Sequence, residues 1–391
     1  MPSIDISFLP AARSEIYSLR RLFFVSRLDK PAAQSDNIAD MCTHFPKSKT
    51  APANSRPAFR TGALLLALVF ALMGLCGCGV KSRTMTLTAM DTVITLTVYG
   101  RSGLLDGCAE RILDLEKKLS VTDEASEICA LNTNGSAELS AGTAELIRRA
   151  LEFSAETGGA LDITIYPVVR AWGFTTGDYR VPSDSELSAL LALVDYGKVE
   201  LEGNTCRLPE GAMIDLGAVA KGYASDVLAA YLRENGVKRA ILNLGGNVYA
   251  LGAKPGGEPW RVGIADPFGE DYAAVVTVTD KAVVTSGGYQ RYFEQDGVTY
   301  RHIIDPSTGK PVDNGLASVT VIGTEGLACD ALSTALFVMG LDRAAEFWRT
   351  HGGFEAVFIT SEGEILITSG LENIFFTNGS YKGVSPTVIG K

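Results

Sequence analysis

Ala240-Ile241-Leu242-Asn243-Leu244-Gly245-Gly246-Asn247-Val248-Tyr249-Ala250-Leu251 is the stretch that sets the fold class. Two short apolar runs, Ala240–Leu244 and Val248–Leu251, flank a glycine pair that ends regular structure and permits a tight turn. No helical stretch separates them from the next strand-like runs, Arg261–Ala265, Val275–Val278 and Val283–Ser286. Thr299–Ile304 and Ser318–Ile322 continue the series, and Ala356–Thr360 with Ile365–Thr368 closes it as a hairpin. A doubly wound sheet needs a helix between successive strands. Strands that follow one another instead predict an α+β fold.

Around this strand series the chain reads as helices and a few further strands. Ala218–Asn235 has helical spacing and stops at Gly236, and Leu327–Met339 and Arg343–His351 read as helices too. Met85–Tyr99 alternates threonine with Leu, Val or Ile, the period of a half-buried strand or hairpin. Leu104–Leu119 has apolar residues at helical spacing, Ser140 stands as N-cap of a helix ending at Gly158–Gly159, and Ser183 caps one over Pro182–Val194. Short strand-like runs surround Val199 and Arg207. No linker rich in proline or serine interrupts the chain after residue 84, so one compact unit is expected there.

At 391 residues, 46% of them apolar and 20% charged, the chain can bury a large core. A net charge of -10 argues against nucleic acid as a partner. The seven cysteines are scattered and indicate neither a zinc cage nor a dense disulfide framework. Residues 1–60 are polar and mixed and carry no fold signal, an extension in which Met41 offers an alternative start. Lys47, Lys49, Arg56 and Arg60 then precede the apolar run Ala63–Leu75. That run is shorter than the ~20 residues of a membrane-spanning helix and has the proportions of a signal-peptide core. It ends Leu75-Cys76-Gly77-Cys78, so residues 61–78 read as a lipoprotein signal with Cys78 as the lipidated residue, an ordinary cleaved signal or an uncleaved anchor being the plain alternatives. The expectation is a lipid-anchored protein on the extracytoplasmic face of a bacterial membrane.

Five segments carry chemistry. Thr285-Ser286-Gly287-Gly288-Tyr289-Gln290-Arg291 is a hydroxyl-and-glycine turn expected to expose N–H groups to an anionic oxygen. His302-Ile303-Ile304-Asp305-Pro306-Ser307-Thr308-Gly309 sets a histidine and an aspartate on a strand-to-turn corner. Asp215-Leu216-Gly217-Ala218-Val219-Ala220-Lys221-Gly222 enters a helix, where an Asp and two glycines suit close approach to a phosphate with Lys221 as cation. A capped helix with a solvated lysine is the plain alternative, and the P-loop pattern is absent. Asp330 and Thr334, four apart, share a helix face as hard oxygen donors suited to Mg²⁺, unless Asp330 merely caps the helix. Asn243–Asn247 taken alone is a plain turn, and Trp172 and Phe174 either stack on a planar ring or fill the core.

Together and in this order, these segments resemble the ApbE family of FAD:protein FMN transferases over about residues 84–378. The resemblance implies a single unit of mixed or antiparallel sheets flanked by helices, with FAD in a cleft. It implies Mg²⁺-dependent transfer of FMN from FAD to a Ser or Thr hydroxyl of a partner redox protein, with AMP released. The metal ligands would be Asp330, Thr334 and the Ala218 carbonyl. Flavin contacts would include Met90, Ala160, Leu161, Asp162, Asp215, Lys221 and Ile303, with His302 near the reacting pyrophosphate. Ser286 and Gly287 would add N–H donors, and His302 would serve as general base with Asp305 orienting it. Two positions depart from the family pattern: Asp91 stands where Met-Gly-Thr has glycine, and Thr122 where a tyrosine often faces the flavin. An Mg²⁺-dependent FAD pyrophosphatase and a non-catalytic flavin-binding lipoprotein stay open as alternatives.

Overall fold

The computed structural model describes residues 81–100 and 102–391; the leader and Cys78 lie outside the described residues. The strands are β1 (Ser82–Ala89), β2 (Thr92–Tyr99), β3 (Ser136–Glu138), β4 (Glu200–Glu202), β5 (Thr205–Arg207), β6 (Ala240–Leu244), β7 (Asn247–Leu251), β8 (Trp260–Ala265) and β9 (Tyr272–Val278). They continue as β10 (Lys281–Gly287), β11 (Tyr292–Gln295), β12 (Val298–Arg301), β13 (Leu316–Gly323), β14 (Glu355–Thr360), β15 (Ile365–Thr368), β16 (Phe375–Thr377) and β17 (Thr387–Ile389). The helices are α1 (Leu105–Leu119), α2 (Glu127–Asn134), α3 (Ala141–Glu156), α4 (Tyr166–Ala171), α5 (Asp184–Leu191), α6 (Ala220–Glu234), α7 (Gly326–Met339) and α8 (Leu341–His351).

A nine-stranded sheet, in the order β1-β2-β6-β7-β10-β13-β14-β15-β17, forms the frame. Its pairs are antiparallel except β15 with β17, so the α+β expectation holds. Its central strands are apolar on both faces, and the period of two sorts their residues between two cores. Ala282, Val284, Tyr249, Leu251, Ala356 and Phe358 face the helical layer with Leu228 and Leu336. Val283, Val248, Ala250, Val357 and Ile359 face the other way, onto Val262, Ile264 and Val276 of the small sheet β16-β9-β8. The result is helices, large sheet and small sheet in three layers.

Helices α6 and α7 pack against each other at glycines. A Cβ on Gly222 would lie 2.3 Å from the Gly326 carbonyl oxygen, and one on Gly326 would lie 2.6 Å from the Gly222 oxygen. Both helices therefore approach nearly backbone to backbone. Asp226 of α6 tightens the contact by accepting the Gly326 and Leu327 N–H groups at 2.7 and 2.8 Å, capping α7 from outside its own chain segment.

At one end of the large sheet two tight turns lie side by side. Met90 and Asp91 join β1 to β2 with φ of 52° and 55°, the left-handed pair of a type I′ hairpin turn. Asparagine or aspartate tolerates this region, but a methionine there is strained, and Glu116 of α1 holds the Met90 N–H at 2.6 Å. Gly245 and Gly246 join β6 to β7 with φ of 64° and 98°, and a Cβ on Gly245 would meet Thr92 at 2.2 Å. Only glycine allows that approach. A separate hairpin, β11–β12, rests on an aromatic cluster of Trp172, Phe174, Phe293 and Tyr300. Trp172 and Phe174 thus belong to a packed core, though Phe174 also reaches a cleft wall.

Candidate active site

The two turns, the ends of β7 and β10, the entry to α6 and one face of α7 enclose a cleft of about 1080 Å³. That exceeds the volume of a typical small-ligand pocket and suits a dinucleotide. Met90, Ala160, Leu161, Asp162, Asp215, Ala218, Lys221, Ser286, His302, Ile303, Asp330 and Thr334 all line it. Residues scattered over more than half of the described chain are thereby brought to one cavity. Gly287 and Asp305 are not among the lining residues.

Asp330 does not cap α7: it sits a turn inside the helix, is 4% exposed, and points across to α6. Its Oδ2 accepts the Gly222 N–H at 2.8 Å and its Oδ1 the Asn247 amide at 2.9 Å. Gly222 lies in the first turn of α6, whose N–H groups have no acceptor within the helix, and Asp330 supplies one from α7. Ala218, just before the helix, lines the cleft beside it. Thr334, one turn beyond Asp330 on α7, faces Ser286 at 3.1 Å. Ser286 is also bonded to Ser333 at 2.8 Å, which ties β10 to α7.

A carboxylate, a hydroxyl and the backbone of Ala218 line one cleft, a hard oxygen set that fits Mg²⁺ completed by water and phosphate. Among the described residues no three His, Cys, Asp or Glu side chains converge, so no all-protein metal cage competes with it. Burial raises the Asp330 carboxyl above the ordinary range despite the Lys221 charge and its hydrogen-bond donors. A buried carboxylate with such incomplete compensation favours a cation beside it. The residues present fit the metal.

His302 follows β12, and its Nδ1 lies 3.2 Å from the Arg291 carbonyl. A carbonyl only accepts, so Nδ1 carries the hydrogen and Nε2 presents a lone pair. The ring has one side on the cleft but is deep among protein atoms, with Phe174 edge-on at 6.4 Å. Loss of hydration first, then the Arg291 charge, pushes its pKa down to about 4. His302 is therefore neutral at neutral pH.

Asp305 does not orient His302. Its Oδ1 accepts the Ser307 N–H and hydroxyl at 2.8 and 2.7 Å, closing the turn at Pro306, while the Arg291 carbonyl does the orienting. Nor do Ser286 and Gly287 form an anion-binding turn. Both lie in β10 opposite β13, and the Gly288 N–H goes to the Ala317 carbonyl at 3.3 Å. The glycines are there for packing: a Cβ on Gly287 would strike the Tyr289 ring, and one on Gly288 the Arg301 side chain. Gly222 likewise serves helix contact rather than phosphate approach.

Asp162 lines the cleft, but its carboxylate accepts from the Thr164 N–H and hydroxyl and from the Tyr196 N–H, at 2.8, 2.6 and 3.2 Å. What it offers a ligand is its shape and backbone. Asp215, open to the cleft on one side, accepts the Gly217 N–H at 2.8 Å and has its carboxyl raised by burial. Lys221 rests loosely on the Gly217 carbonyl at 3.5 Å, available to an anion. Asn247, which orients Asp330, belongs to the Asn243–Asn247 segment that taken alone reads as a plain turn; its side-chain role was not legible there.

Comparison with known proteins agrees with this geometry. Residues 90–358 match the ApbE family. The chain is 35% identical to an FAD:protein FMN transferase of Klebsiella pneumoniae, over 72% of this chain and 90% of that one. It is 33% identical to an FAD:protein FMN transferase of Treponema pallidum, over 78% of this chain and 92% of that one. Among solved structures, the ApbE protein of Thermotoga maritima superposes with a TM-score of 0.71 at 33% identity, over 75% of this chain and 99% of that one. The apo form of the flavinyl transferase ApbE of Pseudomonas stutzeri gives 0.68 at 29% identity, over 75% and 97%.

Proposed function

This chain belongs to the ApbE family, and on that premise we propose that it is an FAD:protein FMN transferase. The observation that carries the reading is a dinucleotide-sized cleft with a hard-oxygen metal set, a loose lysine and a neutral histidine on its walls.

In the reaction, a Ser or Thr oxygen of the acceptor attacks the FMN phosphorus of FAD. The new P–O bond forms as the bond to the bridging oxygen breaks, AMP leaves with that oxygen, and the hydroxyl proton must go to a base. His302 Nε2 takes that proton, and its Nδ1–H, held by the Arg291 carbonyl, keeps the lone pair aimed at the cleft. Lys221 offers a cation to the diphosphate. Mg²⁺ on Asp330, Thr334 and the Ala218 carbonyl would supply charge neutralisation to the diphosphate oxygens. Met90, Ala160, Leu161, Asp215 and Ile303 shape the pocket for the flavin portion. The acceptor is a redox protein with a Ser or Thr flavinylation site, and Cys78 carries a lipid that holds the enzyme on the extracytoplasmic face of the membrane. Support for the anchor is the leader sequence alone.

The test is incubation of the protein with FAD, Mg²⁺ and a candidate acceptor protein. Intact mass of the acceptor should rise by one FMN, with AMP formed in equal amount. FMN and AMP appearing at the same rate with the acceptor left unmodified would make the protein a pyrophosphatase instead.

A further inference from the structure

The Arg291 carbonyl orients His302, but its guanidinium has been given no binding role, and it lines the cleft. Its backbone is fixed: the carbonyl accepts both the His302 N–H at 3.1 Å and the His302 Nδ1–H at 3.2 Å. These two residues are the next pair beyond Tyr292 and Arg301 at the base of the β11–β12 hairpin. The side chain has no such fixing. It crosses the mouth to the β1–β2 turn, with Nη2 3.4 Å from the Asp91 carbonyl and 3.6 Å from Asp91 Oδ2. The two side chains are 51% and 84% exposed. Exposed pairs at such distances contribute little and exchange readily. The other guanidinium donors have no protein partner among the described residues.

Two further observations say what Arg291 is for. Its charge acts on His302 and on Asp215, and the charge of Lys221 acts on the same two groups. Arg291 and Lys221 line the same cleft as His302 and Asp215, so two cations share the cavity with the base. A guanidinium with unused parallel donors matches two phosphate oxygens better than any other side chain does. Asp91 is the complement. It sits in the left-handed turn position with its exposed side chain against Arg291, and it lines the same cleft.

Resting on the transferase reading, we propose that Arg291 binds the diphosphate of FAD and that Asp91 holds it in place until that diphosphate displaces the carboxylate. The enzyme thus has a parked phosphate ligand, one carboxylate-to-phosphate exchange away from its working position. Asp91 competes with substrate for the same guanidinium and lowers apparent FAD affinity.

The experiment compares FAD with riboflavin, which has the ring and no phosphate, by fluorescence titration of wild type, Arg291→Ala, Arg291→Lys and Asp91→Asn. Arg291→Ala should weaken FAD roughly 10- to 100-fold and leave riboflavin unchanged, as expected for a lost charged hydrogen bond. Arg291→Lys keeps the charge without the fork and should fall between. Asp91→Asn keeps the turn, since asparagine accepts the same backbone, and should bind FAD about two- to fivefold tighter. Equal FAD affinity in wild type and Arg291→Ala overturns the assignment. So does an Asp91→Asn variant weakened as much as Arg291→Ala, which would make the pair a mere structural clasp. A wild type that binds no FAD overturns the transferase reading itself, a separate outcome.

Discussion

Replacing Gly222 by alanine tests how the metal site is held. The added Cβ would sit 2.3 Å from the Gly326 oxygen, 2.6 Å from Asp330 Cβ and 2.7 Å from the Gly326 carbon. Two of these atoms are backbone, so no side-chain rotation relieves the overlap. Reaching ordinary contact means moving α6 and α7 apart by about 1 Å in a close-packed interior. Overpacking of this kind costs about 1–3 kcal/mol, or a few degrees in Tm for a domain of this size. The larger effect is on chemistry. Asp330 rides on the displaced face, and a misplacement of ~1 Å costs about 10²-fold in rate. Urea unfolding followed by tryptophan fluorescence gives the first number, and FMN transfer against Mg²⁺ concentration gives the second. Gly236→Ala is the control: it strains a residue at φ 79° but has nothing within 4 Å, so it should cost stability without moving the Mg²⁺ dependence. A Gly222→Ala protein with wild-type stability and Mg²⁺ dependence would refute the reasoning.

Further outcomes follow from individual groups. Because the His302 pKa is lowered to about 4, the acid limb of kcat/KM should be centred near that value, and His302→Ala should lose both most of kcat and the limb; a limb near ~6.5 removes the buried neutral form. The sign for stability is the same: the unfolded chain binds the proton first, so stability present above pH ~6.5 should decline as pH falls toward 4, read by unfolding at several pH values. Asp330→Ala should abolish Mg²⁺-dependent transfer, and full activity at limiting Mg²⁺ would end its assignment. Asp305→Ala should cost about 1 kcal/mol through its turn yet change kcat less than about threefold, whereas a loss like that of His302→Ala would restore it as the orienting group. Cys78→Ser should release the protein from membranes or block its processing, checked by fractionation and intact mass, with an unchanged distribution counting against the anchor.

The strand series was legible because the large sheet is buried on both faces. Ala282, Val283 and Val284 read as a strand from composition, whichever face each one takes. Helices α6, α7 and α8 were legible from period and stops. α2 and α4 were not, being only eight and six residues long, too short to show a period. Most cleft residues were found through the family resemblance, but the reasons for several lie in long-range contacts that spacing does not encode. Gly222 and Gly287 carry the signature of anion-binding glycines and serve packing instead. His302 and Asp305 have catalytic spacing, yet a main-chain carbonyl from residue 291 holds the histidine. The near-neutral titration that histidine suggests by type is shifted by burial, which no local pattern reveals. Asn247 and Arg291 act through partners 83 and 200 residues away.

The bond at Gly222, where a carboxylate from 108 residues downstream accepts a first-turn N–H, also says where the site is made. Asn247 of β7 donates to the same carboxylate, so three segments far apart in the chain meet at one group. A chain cut before Gly326 would lack α7 and with it both Asp330 and Thr334. No single segment therefore carries the oxygen set; it exists only where α6, β7 and α7 are docked together.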